Sequence, residues 1–195
     1  MRTLSSYIAD SKRTLRSKML AKRNGLTELE ILSKSMQIQE ILIASRYFEE
    51  SKVLGVYISR GSEVRTQMII DEAFRKMKTV AIPRVIDTSM MRFYETNEDR
   101  MKNLVNGKFG IPEPTGTDND VSEAMDLLIV PGIAFDLQGY RLGHGMGYYD
   151  NFLRKTGNLR AVGLAFDVQV IKKRVLPRYK YDMKVDNIVT EIGIL

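Results

Sequence analysis

Four consecutive apolar residues, Leu127-Leu128-Ile129-Val130, run directly into Pro131 and Gly132. A strand with one face in water alternates apolar and polar residues, so a strand apolar at every position needs cover on both faces. Proline ends the run because it cannot donate to a β-ladder. Val53-Leu54-Gly55-Val56-Tyr57-Ile58 has the same character, and Val80-Ala81-Ile82 is a shorter version closed by Pro83. Residues 161–165 and 186–190 supply the last strands, while residues 91–95 admit polar side chains and belong nearer an edge. A chain with such strands must pack something against each side of its sheet.

Helices are what the sequence offers for that purpose. Over residues 5–23, Leu4, Ile8, Leu15 and Met19 recur at spacings of four and seven, which makes one apolar stripe. Lys12 and Arg16 lie one turn apart on another face, with Arg13 beside them. Asn24-Gly25 ends this helix, and Thr27 with Glu30 forms a capping-box pattern that opens the next. Leu32, Met36, Ile38, Ile41 and Leu42 are expected to form its buried side. Further helices are expected over residues 66–77 and 148–155. Strands alternating with helices predict an α/β fold with a mostly parallel sheet covered on both faces. Ligands then sit beyond the carboxyl ends of the strands, in the loops after Ile58, Ile82, Val130 and Ala165.

With 195 residues, 44% of them hydrophobic, the chain supports one core of ordinary size. A single domain over residues 1–195 is expected, because the loop-like stretch at 107–120 is too short to separate two. No run approaches the roughly 20 apolar residues needed to span a bilayer, and residues 1–16 lack an apolar block of signal-peptide length. A cytoplasmic protein without membrane contact is expected, and a monomer. There is no cysteine, which excludes disulfides, thiolate catalysis and cysteine zinc sites. His144 is the only histidine, so a multi-histidine metal site is excluded as well. The net charge of +6 favours anionic partners without choosing among them.

The densest chemical signal is Arg141-Leu142-Gly143-His144-Gly145-Met146-Gly147-Tyr148-Tyr149-Asp150. Three glycines alternate just before a helix. Glycine lets backbone approach a ligand closely, and a helix N-terminus offers free N–H groups to phosphate. Arg141 adds a bidentate clamp for phosphate oxygens, and Asp150 is a hard carboxylate suited to magnesium. Alternating glycines also make ordinary tight turns, and neither the Rossmann nor the P-loop spacing is present.

This decapeptide resembles the R-x-G-x-G-x-G-Y-Y-D signature of the 5-formyltetrahydrofolate cyclo-ligase family. Other pieces follow in the family's order. Lys12-Arg13-Thr14-Leu15-Arg16 is similar to its K-R-x-x-R helix, and Glu63 to its folate-binding glutamate. Ile82-Pro83-Arg84 resembles its I-P-R strand, and Phe109-Gly110-Ile111-Pro112-Glu113-Pro114 its aromatic loop. The stretch 126–132 resembles its D-L-I-x-x-P-G turn, and Tyr181-Asp182-Met183-Lys184-Val185-Asp186 its closing D-x-x-x-D segment.

The resemblance implies a three-layer α/β/α sandwich that converts 5-formyltetrahydrofolate to 5,10-methenyltetrahydrofolate with ATP and Mg2+. The formyl oxygen attacks the γ-phosphate, N10 attacks the resulting phosphorylated imine, and ADP and phosphate leave. It places Lys12, Arg13, Arg16, Arg141, Leu142, Gly143, His144, Gly145, Met146, Gly147, Tyr148 and Tyr149 at ATP. It places Ile58, Glu63, Phe109 and His144 through Tyr148 at the folate, which can carry a polyglutamate tail. Arg141 and Tyr148 act in catalysis, and Asp150 and Asp182 hold magnesium. Read without the resemblance, Lys12 and Arg16 are a solvated basic face, Asp150 and Asp182 surface acids, Glu63 an exposed loop residue, and Ile58, Phe109 and Tyr148 core.

His144 and Met146 stand where some family members carry arginine and lysine, and Phe109 where some carry tryptophan. A cyclo-ligase-like protein acting on another formylated or pterin-like compound is one rival reading. A basic RNA-binding module is another, but exposed aromatics interleaved with basic residues are few, and no nucleic-acid partner is expected. On the sequence alone, Asp150→Asn is expected to cost turnover with little loss of stability. Gly145→Val is expected to abolish ATP binding because a β-branched side chain blocks close backbone approach.

Overall fold

The computed structural model describes residues 4–107, 112–113 and 119–195. The chain begins with α1 (Leu4–Asn24), α2 (Glu28–Ile43) and α3 (Arg46–Glu50), then β1 (Val53–Gly55), α4 (Gln67–Arg75), β2 (Thr79–Val85) and β3 (Met91–Thr96). It continues through α5 (Glu98–Lys102), β4 (Val105–Asn106), β5 (Pro112–Glu113), β6 (Leu127–Val130), β7 (Ala134–Asp136) and β8 (Arg141–Leu142). After these come α6 (Tyr148–Lys155), β9 (Arg160–Leu164), β10 (Val170–Ile171), β11 (Asn187–Thr190) and β12 (Gly193–Ile194).

The main sheet has seven strands in the order β12-β11-β9-β6-β1-β2-β3. The pairs from β11 through β2 are parallel, and the edge strands β3 and β12 are antiparallel. The polar residues of β3 therefore sit where expected, at an edge. Alternate residues of β6 separate into two cores. Leu127 and Ile129 face Ile38, Leu42, Phe48, Ile69 and Ile70 of α2, α3 and α4. Leu128 and Val130 face Phe152 and Leu153 of α6. The three-layer α/β/α sandwich is thus the consequence of strands with no wet face. Among the described residues, no helix is long and apolar enough to cross a membrane.

Two expectations from the sequence need correction. Leu32 and Met36 are exposed, and the inward face of α2 is Ile31, Ser35, Ile38, Gln39 and Leu42. The two polar residues face inward because they satisfy neighbouring backbone: Ser35 Oγ accepts from Arg65 N at 3.0 Å and Gln39 Oε1 from Met68 N at 3.0 Å. Pro83 also fails to stop β2, which runs on to Val85. Ala81 O accepts from Val56 N, so residue 83, two further on, turns the same edge toward β1. Pairing with β1 ends at Ala81, and the missing N–H of Pro83 meets no strand there.

The chain changes direction about β1: β2 lies on one side of it and β6 on the other. That switch point opens a crevice at the carboxyl ends of β1 and β6. Over it, α1 packs through Leu15 and Met19 against Ile133, Ala134, Leu142 and Leu176. Beside it, β7 pairs with β8 and β10 in a small second sheet. Phe135 of β7 is fully buried, and a Cβ on Gly132 or Gly163 would stand within 3.0 Å of its ring. Gly163→Ala is therefore expected to overpack this notch and cost about 1–3 kcal/mol. A urea midpoint equal to that of the unsubstituted protein would contradict this packing.

Candidate nucleotide and substrate site

The glycine-rich segment leaves β8, crosses the end of the sheet and enters α6. Gly145 (φ 110°) and Gly147 (φ 74°) both hold left-handed conformations that L side chains rarely adopt. Gly147 is the N-cap of α6 and brings no side-chain acceptor. With no capping side chain at Gly147, the start of α6 has the form of a helix N-terminus that can receive phosphate. Gly143 needs no such freedom, since its φ is ordinary and a Cβ there would meet nothing within 4 Å.

The first helix clamps this turn from above. Arg16 Nε donates to Gly143 O at 2.8 Å. Lys12, one turn earlier, is 7% exposed, so the reading as a solvated basic face fails for it. Its Nζ pairs with the Asp182 carboxylate and stands 4.6 Å over the Tyr179 ring. Asp182 Oδ2 also accepts from Tyr179 N at 2.8 Å.

A second pair lies beneath. The Arg141 side chain is 3% exposed and contacts Asp150 Oδ1 at 3.2 Å. Arg141 Nη1 donates to Met183 O at 3.2 Å, while Asp150 Oδ1 accepts from Met183 N at 2.8 Å. Burial lowers the guanidinium pKa, and the charge of Asp150 opposes the shift. Asp150 and Asp182 are therefore not plain surface acids: each holds a cation and a backbone N–H of the segment around Met183.

Glu63 follows β1, across the crevice from α6. Its Oε2 accepts from Arg60 N at 3.0 Å, and its own N donates to Arg60 O at 3.0 Å. Among the described residues it forms no ion pair. Its charge reaches Tyr149 on α6: burial raises that phenol well above its usual value, and Glu63 raises it further. The loop after β1 and the start of α6 thus share one space.

Other expected residues are placed variously. Ile58 is half-buried against the main core, and Tyr148 packs on the α6 side. Leu142 puts its side chain into the α1 core, not toward a ligand. His144 and Met146 are exposed at the tip of the glycine turn. Arg13 points outward, with its side chain 78% exposed and bonded to Asp10, away from the turn. Phe109 lies outside the described residues.

One residue escaped sequence reasoning. Arg23 is 6% exposed and donates through Nε to Ser62 Oγ at 3.0 Å and through Nη1 to Gly132 O at 3.4 Å. It stands seven residues after Arg16 and eleven after Lys12, on the same helical stripe, and that spacing was its signal.

For magnesium, the donors available are two carboxylates. Among the described residues no group of three or more potential ligands exists. Magnesium commonly uses one or two carboxylates and completes its shell with phosphate and water. The donor set fits a metal that arrives with a nucleotide rather than one held by protein alone.

The chain is similar to known proteins over nearly its whole length. Residues 8–191 match the profile of the 5-formyltetrahydrofolate cyclo-ligase family. The chain belongs to that family. A probable 5-formyltetrahydrofolate cyclo-ligase of Schizosaccharomyces pombe is 33% identical over 193 residues, covering 92% of this chain and 94% of its own. The 5-formyltetrahydrofolate cyclo-ligase of Mus musculus is 31% identical, covering 94% and 95%. The NMR structure of Aquifex aeolicus 5,10-methenyltetrahydrofolate synthetase is 36% identical and superposes with a TM-score of 0.82, over 94% of this chain and 91% of that one. A cyclo-ligase of this family is an enzyme, and the buried cations around the glycine turn are where its chemistry is to be sought.

The geometry adds a second ground for the Gly145 expectation. A Cβ there would meet the Arg16 guanidinium, Nη2 at 3.5 Å and Cζ at 3.7 Å, both ordinary contacts, so within the protein the obstacle is strain at φ 110°. Gly145→Val is expected to weaken ATP binding at least tenfold, equivalent to about 1.4 kcal/mol or more. Titration calorimetry with ATP and magnesium giving an unchanged Kd would contradict the role of this turn.

Proposed function

We propose that this protein cyclises 5-formyltetrahydrofolate to 5,10-methenyltetrahydrofolate, consuming ATP with Mg2+ and releasing ADP and phosphate. The observation that carries this reading is the double ion pair, Lys12–Asp182 and Arg141–Asp150, buried where the glycine turn enters α6 in a chain of this family.

Charge on the transferred phosphoryl group must be neutralised by fixed cations, because positioning and electrostatics supply most of the catalysis in such transfers. Lys12, Arg16 and Arg141 are the cations at the turn, and Gly143, His144, Gly145, Met146 and Gly147 supply its backbone. The formyl oxygen attacks the γ-phosphorus and ADP departs. N10 then attacks the activated carbon, and the former formyl oxygen leaves within phosphate. Both nucleophiles belong to the folate, so no protein side chain needs to act as a strong base. Arg141 and Tyr148 adjoin the transfer, while Ile58, Glu63 and Phe109 hold the pterin. The folate, with or without a polyglutamate tail, is the partner.

Magnesium, when bound, would supply positive charge to offset that of the phosphates. Asp150 and Asp182 would hold it. Lys12 and Arg141 neutralise these carboxylates here, so for Asp150 and Asp182 to hold a metal the two cations would have to exchange them for phosphate oxygens. This exchange keeps every buried charge paired, which matters because an uncompensated buried charge is costly.

The test is incubation of the purified protein with 5-formyltetrahydrofolate, ATP and magnesium, following the near-ultraviolet absorbance of the methenyl product. Glu63→Gln should raise the folate KM at least tenfold; if substrate turnover does not exceed this control, the folate assignment fails. Asp150→Asn now carries a second expectation. Besides lost turnover, it should cost about 1.5–3 kcal/mol of stability, since it unpairs the buried Arg141. Equal urea midpoints for the two proteins would contradict the structural half of that statement.

A further inference from the structure

We infer that Arg23 is the positioning residue for Glu63, holding the loop after β1 against the turn after β6 so that the carboxylate faces the crevice without an ion pair. The inference rests on the reading of Glu63 as the folate-orienting residue.

The geometry is specific. One guanidinium bridges Ser62 Oγ, which adjoins Glu63, and Gly132 O, which follows β6. These are the loops of the two strands that flank the switch point. Both anchors are themselves held: Ser62 Oγ donates to Asn24 Oδ1 at 2.5 Å, and Gly132 O also accepts from Gln169 Nε2 at 2.9 Å. Arg23 is buried, yet no carboxylate among the described residues lies within ion-pair distance of it. Glu63 acts on it through space: burial lowers the Arg23 pKa, and the charge of Glu63 opposes that shift.

The separation has a use. A direct ion pair would occupy the carboxylate oxygens that a pterin must reach with its ring N–H groups. A guanidinium one step back supplies opposite charge and fixes the loop without placing an ion pair on the carboxylate, whose Oε2 accepts the backbone N–H of Arg60. Lysine could not copy this, because a planar fork makes two divergent bonds from one rigid group and an ammonium is a point donor.

The test is a double-mutant cycle on the whole protein, with KM measured separately for folate and for ATP. Arg23→Gln should raise the folate KM about tenfold and leave the ATP KM within about twofold. In the Arg23→Gln, Glu63→Gln double variant, the folate KM should be no higher than in Glu63→Gln alone, because the two residues act as one unit. Arg23→Lys should recover only part of the loss. A structural defect would move both KM values together, and that result, or multiplicative effects in the double variant, would overturn the inference. If Arg23→Gln lacks a cooperative unfolding transition, Ser62→Ala carries the same comparison, since it removes one of the two anchors. A Glu63→Gln variant with normal folate KM would overturn the role of Glu63 itself. An effect of Glu63→Gln without one of Arg23→Gln would overturn only the role of Arg23.

Discussion

The docking of α1 onto the carboxyl end of the sheet is the interaction on which the rest depends. It is made by one stripe of the helix. Leu15 and Met19 bury against β7, β8 and Leu176. Lys12, Arg16 and Arg23, interleaved with them, each reach a different segment: Asp182, Gly143 O, and the Ser62–Gly132 pair. Apolar burial fixes the helix in place, and the cations then tie together four loops that are far apart in sequence. A helix without that apolar anchor would leave its basic residues in water, where they bind little.

The sheet contributes in a different way. Its strands are covered on both faces, so their carboxyl ends cannot drift, and the loops that leave them start from fixed points. Phe135 locks the β7–β8 hairpin into a notch between Gly132 and Gly163, and so sets where Arg141 begins. From there the chain needs two left-handed residues, Gly145 and Gly147, to turn into α6. The backbone N–H groups of the turn and the buried cations converge because the hairpin, the helix and α1 are each packed independently.

Much of this was legible in the residues. The boundaries of β6 and α6 coincide with the expected ones, because an all-apolar run before proline and a glycine-led amphipathic segment leave little choice. The capping box at Thr27 and Glu30 forms as the pattern implied. Leu32 and Met36 misled because hydrophobicity alone cannot reveal that Ser35 and Gln39 have backbone donors to satisfy. The small strands β7, β8 and β10 went unseen, since two or three residues carry no period. Arg23 was overlooked for a similar reason: a basic residue at the end of a helix reads as a complement to the helix dipole.

By itself, the sequence determined the layered α/β class, the glycine-rich turn that leads into α6 and the types of residue gathered around it. These are local matters of periodicity, proline, glycine and charge. Tertiary structure alone decided that Lys12 and Arg141 are buried rather than solvated, that each is matched to one of Asp182 and Asp150, and that Arg13 is turned away. Pairing across as many as 170 residues of chain depends on how α1 settles on the sheet. That follows from the summed packing of many side chains, and no short stretch of sequence contains it.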